Sequence, residues 1–157
     1  MLGVDPGTAT TGYGVVEADA GRPGHLLECG VLRTHAGSAL GDRLVTLHAG
    51  MRELVAQHRP DLVAIEGIFY AKNVRTSLVL SHARGVLLLA AAEAGVPVEE
   101  LSPAAVKKAV VGRGRATKAQ IGFMVQQLLR LRRPPQPADA ADGVAIALAC
   151  LLTRRRR

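Results

Sequence analysis

Four carboxylates stand out in this chain because of where they fall: Asp5, Glu66, Asp139 and Asp142. Asp5 closes the short apolar run that begins at Leu2, and Glu66 directly follows the apolar run Leu62–Ile65. Asp139 and Asp142 are three apart, a separation that places two side chains on one face of a helix's first turn. Oxygen donors of this kind suit Mg²⁺, which keeps coordination positions for water and for substrate phosphate. Two such ions about 3.5–4 Å apart can activate a water and stabilise the leaving oxygen of a phosphodiester. Metal-assisted phosphodiester hydrolysis is the chemistry the four acids could support.

Each acid also has an ordinary explanation. An Asp before Pro-Gly is a common turn former, which would account for Asp5. Asp139 could cap a helix, with Asp142 as its partner three residues on, since helix starts favour acids. Glu66 is harder to dismiss, because an unpaired carboxylate at the end of a buried strand is expensive.

The charge distribution favours the functional reading. Residues 101–157 hold twelve Lys and Arg against two acids, Asp139 and Asp142, while the first hundred hold eight basic and eleven acidic residues. A segment this basic suits a phosphate-rich partner, because each neutralised phosphate releases condensed counterions. Two carboxylates inside that field would repel a phosphate unless a cation sat between them. Of the 20 basic residues sixteen are Arg; their planar forks suit phosphate, although genome composition also produces such a bias.

The elements that must position these groups follow from patterning. Leu2–Asp5, Gly12–Glu17 and Leu26–Arg33 read as three strands of an antiparallel meander, with a turn over Gly21–Gly24. Apolar residues at Leu40, Leu44, Leu47, Met51, Leu54 and Val55 predict an amphipathic helix ending before Pro60. Leu62–Ile65, continuously apolar, reads as a buried strand in a parallel arrangement. A long helix over Asn73–Ala94 and a short strand over Val96–Leu101 follow. Ser102-Pro103 looks like an N-cap and first helical residue of a helix through Val110. A basic glycine loop spans Gly112–Ala116, and Thr117 caps a helix whose apolar side is Ile121, Met124, Val125, Leu128 and Leu129. After Pro134, Pro135 and Pro137, the last helix runs from Asp139 to about Thr153. This order predicts an α/β fold, a mixed sheet with helices on both faces. Ligands of such sheets gather at the carboxyl ends of the strands, so Asp5 and Glu66 come within bridging distance if their strands are neighbours.

The 157 residues suit one domain, expected over 1–153 with a basic tail at 154–157. A 48% hydrophobic and 21% charged composition is that of a globular protein, and with 3% aromatics the core must be aliphatic. Cys29 and Cys150 form no metal or disulfide spacing and read as buried thiols of a reducing compartment. No charged-then-apolar leader opens the sequence, and its longest apolar stretch, Val86–Ala92, is far short of a membrane span of roughly 20 residues. A cytoplasmic location is the expectation.

With these residues in view, the chain resembles the RuvC family of Holliday-junction resolvases, within the ribonuclease-H-like nuclease superfamily. The resemblance covers nearly the whole length. It is carried by Gly3-Val4-Asp5-Pro6-Gly7, Thr11-Gly12-Tyr13-Gly14-Val15 and Glu66-Gly67-Ile68-Phe69-Tyr70-Ala71-Lys72-Asn73. Ser81-His82-Ala83-Arg84-Gly85, Val106-Lys107-Lys108-Ala109-Val110-Val111-Gly112 and Ala138-Asp139-Ala140-Ala141-Asp142 complete the ordered set. It implies a ribonuclease-H-like five-stranded sheet and a homodimeric endonuclease of recombination and repair. Such an enzyme cuts two opposite strands of a four-way DNA junction with Mg²⁺ or Mn²⁺, two ions per site being the expectation, and leaves 5′-phosphates. It also implies that Asp5, Glu66, Asp139 and Asp142 are the catalytic metal ligands, and that the branch-migration proteins RuvA and RuvB are partners. Gly67 departs from the family, which often has Gln there; that puts a local DNA contact in doubt and not the carboxylate.

Lys107, Lys108, Arg113, Arg115 and Lys118 crowd twelve residues around Gly112 and Gly114, with no acid interspersed. Cations beside flexible glycines suit phosphate contacts, and the resemblance sets Lys107 and Lys118 nearest the active site. Phe69 matches a family position where the ring stacks on an unpaired base; a core plug is the alternative, and is the ordinary role for Tyr70. Ser77–Ala92 is the dimer surface by resemblance, or else a helix buried on all sides within one subunit. Three other functions compete: a nuclease for another DNA or RNA structure, a phosphotransferase of the actin and sugar-kinase fold, and a non-catalytic junction binder. The second would need two such domains and another phosphate loop, for which the chain is short.

Overall fold

A computed structural model describes residues 1–19, 21–67 and 74–155. The elements follow the order β1 (Leu2–Asp5), β2 (Thr10–Asp19), β3 (Arg22–Arg33), α1 (Leu40–His58), β4 (Val63–Glu66), α2 (Val74–Glu93), β5 (Val98–Leu101), α3 (Pro103–Val111), α4 (Lys118–Leu128) and α5 (Ala138–Arg154). One sheet has the strand order β3-β2-β1-β4-β5. β1, β2 and β3 pair antiparallel, whereas β4 runs parallel to β1 and β5 parallel to β4. The expected meander and mixed sheet are both present.

Several boundaries move, each for a local reason. The β2–β3 hairpin extends out to the pair Asp19↔Arg22, well past the expected strand ends, with irregularities after Val15 and Glu17. Its outer residues are polar, so backbone pairing extends beyond the apolar alternation that marked the strands. β5 starts at Val98 because Gly95 and Val96 turn their N–H groups back to Ala92 and Ala91 at the end of α2. α5 begins at Ala138 with Pro137 in the cap position and no side-chain cap. Asp139 is therefore inside the first turn and is not the cap, which removes one ordinary explanation for it. Arg154, expected to open a solvated tail, ends α5 and pairs with Glu99 of β5 at 2.9 Å.

Two caps match their sequence signals. Ser102 accepts from the Ala105 N–H at 3.0 Å, with Pro103 beginning α3. Thr117 and Gln120 form a reciprocal capping box at the start of α4. Such caps each contribute about 1 kcal/mol, and here they fix where α3 starts after β5 and where α4 starts after the glycine loop.

Strand alternation sorts the core into two layers. Leu2, Val4, Val15, Val63 and Ile65 pack with Leu47, Met51 and Leu54 of α1 and with Ala83 and Leu87 of α2. Val16, Leu62 and Ala64 face the other way, toward Val106 of α3, Val125 of α4 and the apolar length of α5. Gly143 and every residue from Val144 to Leu151 are buried, because α5 lies between the sheet and the α3–α4 pair. Cys150 is buried and Cys29 half-buried, and neither forms a disulfide.

α5 touches the sheet backbone to backbone. A Cβ on Gly12 would come within 1.8 Å of the Asp139 carbonyl oxygen, and one on Gly3 within 2.3 Å of the Gly143 carbonyl oxygen. A Cβ on Gly14 would lie 2.5 Å from the Val144 Cα, and one on Gly143 2.5 Å from the Tyr13 Cα. Only glycine fits at these four positions. Gly122, by contrast, lies inside α4, where an added Cβ would meet nothing within 4 Å.

This contrast gives a test in which helix propensity is held constant. Gly143→Ala and Gly122→Ala each gain roughly 0.5–1 kcal/mol of helix propensity. Gly143→Ala should nonetheless destabilise the fold by about 1–3 kcal/mol or more through overpacking. Gly122→Ala should be neutral or stabilising. Urea melts of both variants read the opposite signs; equal effects would refute the close contact.

Candidate active site

The alternation that builds the core also aims the acids. On β1, Leu2 and Val4 face α1 and α2, so Gly3 and Asp5 face α5. On β4, Val63 and Ile65 face α1 and α2, while Leu62 and Ala64 face α5, so Glu66 does too. Because β1 and β4 are parallel neighbours in register, Asp5 and Glu66 emerge together at their carboxyl ends. Their side chains share a hydrogen bond. The condition on which their proximity depended is met.

Asp142 joins them from α5. A pocket of about 230 Å³ is lined by Asp5, Glu66, Asp142, Lys107 and Lys118, over an apolar wall of Pro103, Val106, Ile121, Ala145 and Ile146. Lys118 Nζ donates to Asp142 Oδ2 at 2.7 Å. Asp139 lies one turn nearer the start of α5, does not line this pocket, and adds to the negative field felt by Lys118. The structure thus brings three of the four expected acids together and leaves the fourth at the rim.

The electrostatics of the pocket follow from burial and from the clustering of these acids. Burial, followed by the charge of Glu66, the bond to it and the charge of Asp142, pushes the Asp5 carboxyl up to about 7. Burial also raises Glu66, opposed by its bond to Asp5 and by the charges of Lys118 and Lys107. Lys118 is held above its ordinary value by its bond to Asp142 and that carboxylate's charge. Clustered carboxylates that retain a proton near neutrality, with a lysine drawn onto one of them, fit a divalent cation. The donors are all hard oxygens, which suit a hard divalent cation. Among the described residues no three His, Cys, Asp or Glu side chains converge closely enough to form a ligand set.

The remaining expected residues fall in three groups. Lys107 and Lys118 line the pocket. Lys108 and Arg113 are exposed and do not line it. Phe69 and Tyr70 lie outside the described residues. Sequence reasoning missed the apolar wall and also Phe123, an exposed ring on α4 beside the pocket. Its signal was available: Phe123 falls off the apolar side traced by Ile121, Val125 and Leu129.

Residues 1–150 match the family described as crossover junction endodeoxyribonuclease RuvC. The chain belongs to the RuvC family. It is 49% identical over 148 residues to the crossover junction endodeoxyribonuclease RuvC of Streptomyces coelicolor, covering 94% of this chain and 79% of that protein. The Moorella thermoacetica protein of the same description is 50% identical over 149 residues, covering 94% and 88%. Among solved structures, Thermus thermophilus RuvC in complex with a Holliday junction substrate superposes with a TM-score of 0.93 at 35% identity, covering 99% of this chain and 94% of that one. RuvC membership makes the chain a crossover junction endodeoxyribonuclease with the ribonuclease-H-like sheet found above.

The raised Asp5 carboxyl has a measurable sign. Between its unfolded value near 3.8 and its folded value of about 7, the native state binds the extra proton. Stability of the metal-free chain should therefore fall as pH rises through that window. Asp5→Asn should flatten this dependence and stabilise the chain at pH 7 and above. Thermal melts in chelator from pH 4 to 8 check it, and an unchanged slope in the variant would count against the buried acid pair.

Proposed function

We propose that the chain resolves four-way DNA junctions by divalent-metal-dependent hydrolysis of one phosphodiester in each of two opposite strands. The observation that carries this is the meeting of Asp5, Glu66 and Asp142 at the carboxyl ends of β1 and β4, with Lys107 and Lys118 beside them. Asp5, Glu66 and Asp142 would hold the cation, with Asp139 completing the set from the first turn of α5. Mg²⁺, or Mn²⁺ in its place, would supply an activated water and stabilise the leaving oxygen, through two ions per site.

The chain's own residues supply the rest. Lys107 and Lys118 place positive charge where the scissile phosphate must sit. Lys118, now paired with Asp142, would be free to reach that phosphate if a cation took over the Asp142 charge. The exposed Lys108 and Arg113 extend the positive field outward along the DNA. The apolar wall behind the acids excludes water from one side and strengthens every charge interaction inside. Phe69 is assigned by family likeness to stack on an unpaired base at the junction centre.

Two nicks require two sites, and the exposed side of α2 supports a homodimer. Leu78 and Leu89 are 57% and 52% exposed, and His82, Gly85 and Ala92 lie open in the same stripe. Positions 78, 82, 85, 89 and 92 alternate steps of four and three, the spacing of a helix-pairing seam. A two-fold dimer would present identical sites to a pseudo-symmetric substrate. RuvA and RuvB are the partners that family likeness suggests, in recombination and repair. No helix is long and apolar enough to cross a membrane among the described residues, and a cytoplasmic setting accords with a DNA substrate.

A synthetic mobile junction incubated with the protein and Mg²⁺ should yield paired symmetric nicks with ligatable ends. Asp5→Asn, Glu66→Gln, Asp139→Asn and Asp142→Asn should each slow cutting by about a hundredfold or more while junction affinity stays near wild type. Near-normal cutting by two or more of them would sink the four-acid site.

Affinity should fall steeply with salt. Lys107→Ala or Lys118→Ala should weaken binding and reduce the log–log salt slope by about one unit each. A double variant with unchanged slope and rate would remove both lysines from the DNA path.

A further inference from the structure

Beside the acid pocket lies a second groove, of about 410 Å³, that shares Lys118, Ile121 and Asp142 with it. Its other walls are Phe123 and Gly122 of α4, the Pro134–Gln136 segment and the first turn of α5. The volume is within the range of small-ligand clefts, roughly 300–1,000 Å³. Phe123 is one of two phenylalanines in a chain with no tryptophan, and it is 59% exposed. The buried side of α4 is Ile121 and Val125, continued by Leu129 at its C-cap, and the ring is not part of it.

Two further features show that the groove is built and not left over. Gly122 is next to Phe123 inside a helix, where glycine is unfavourable. No neighbour demands it, because nothing lies within 4 Å of a would-be Cβ. It lines the groove, and a side chain added there would project into open space. The Gln126 amide, on the same helix, donates to the carbonyls of Leu131 and Arg132 at 3.4 and 3.3 Å and ties down the segment leading to the prolines.

We infer that this groove is a nucleotide subsite: it receives one unstacked base of the cut strand, next to the scissile phosphate, with Phe123 as the stacking platform. The inference rests on the endonuclease reading of the acid pocket. The groove adjoins the acid pocket through Lys118, Ile121 and Asp142, so a strand held at the acids is within reach of placing a neighbouring nucleotide here. Exposed Arg130, Arg132 and Arg133 follow on the adjoining turn and suit a phosphate backbone leaving it. An aromatic face accepts any base, and base–aromatic contact is the usual means of holding an unstacked strand. In this role Phe123 positions the strand; it does not take part in bond cleavage.

The test uses the full chain, Mg²⁺ and four-way junctions that are either intact or abasic at each nucleotide flanking the cut. Phe123→Ala should lower the cutting rate on intact junctions roughly fivefold to a hundredfold, with a melting temperature close to wild type. Phe123→Trp should restore the rate. On the junction abasic at the correct flanking nucleotide, wild type and Phe123→Ala should cut alike, because the stacked base is already gone. Gly122→Leu should keep or raise the melting temperature while slowing the intact junction, since its side chain can only occupy the groove. If wild type cuts but both variants match it on every substrate, the subsite is refuted and the endonuclease reading stands. An equal loss for Phe123→Ala on intact and abasic junctions also refutes base stacking. A wild-type chain that leaves junctions whole overturns both.

Discussion

The contact on which the site depends is the one between α5 and the β1–β2 pair, made through Gly3, Gly12, Gly14 and Gly143. Helices usually ride on a sheet at the distance set by their side chains. Here four missing side chains let the α5 backbone settle onto the strand backbones. That closeness brings Asp142 to the same pocket as Asp5 and Glu66, and sets the Asp139 carbonyl directly over Gly12. The cost is real, because glycine inside a helix or strand is unfavourable by roughly 0.5–1 kcal/mol. The return is a buried α5, with Gly143 to Leu151 all enclosed.

A rigid frame of acids has an electrostatic consequence. The carboxylates cannot move apart to relieve their repulsion, so relief comes from protons and counterions. Asp5 retains its proton up to about pH 7, and Lys118 reaches in from α4 to Asp142. Lys118 can do this because its side chain is long and mostly solvent-exposed, while its helix start is fixed by the Thr117–Gln120 capping box. A fixed backbone and an exposed, flexible side chain let this one lysine reach across from α4 to the α5 carboxylate.

Much of this arrangement was legible in the sequence, and the omissions have physical causes. Strand alternation at Leu2–Asp5 and Val63–Glu66 was enough to put both acids on one face once the strands were adjacent, and the mixed strand order made adjacency reasonable. Ser102 and Thr117 announced their helices because caps are local, satisfied within three residues. The glycine contact was not legible, because Gly3, Gly12, Gly14 and Gly143 are remote in sequence and each reads alone as a turn former or a weak spot. Asp139 looked like a cap since acids are common there, but Pro137 occupies that position. The β2–β3 hairpin ran past its apolar pattern because backbone hydrogen bonds do not depend on side-chain polarity.

α4 shows most clearly how one short helix can serve several ends without conflict. Its buried side, Ile121 and Val125, with Leu129 at its C-cap, anchors it to the α5 layer. Its first residue places a cation on the acids, and its next turn turns Gly122 and Phe123 toward the adjoining groove. These duties occupy different angles around the same axis, separated by the 100° step of the helix. A substitution on the buried side must disturb all of them, because it shifts the axis from which the others project. A substitution at Gly122 or Phe123 leaves the axis in place. The distinction follows from the helix's geometry alone, and it is why stability and strand placement can be separated by experiment here, whereas at Gly12 or Gly143 they cannot.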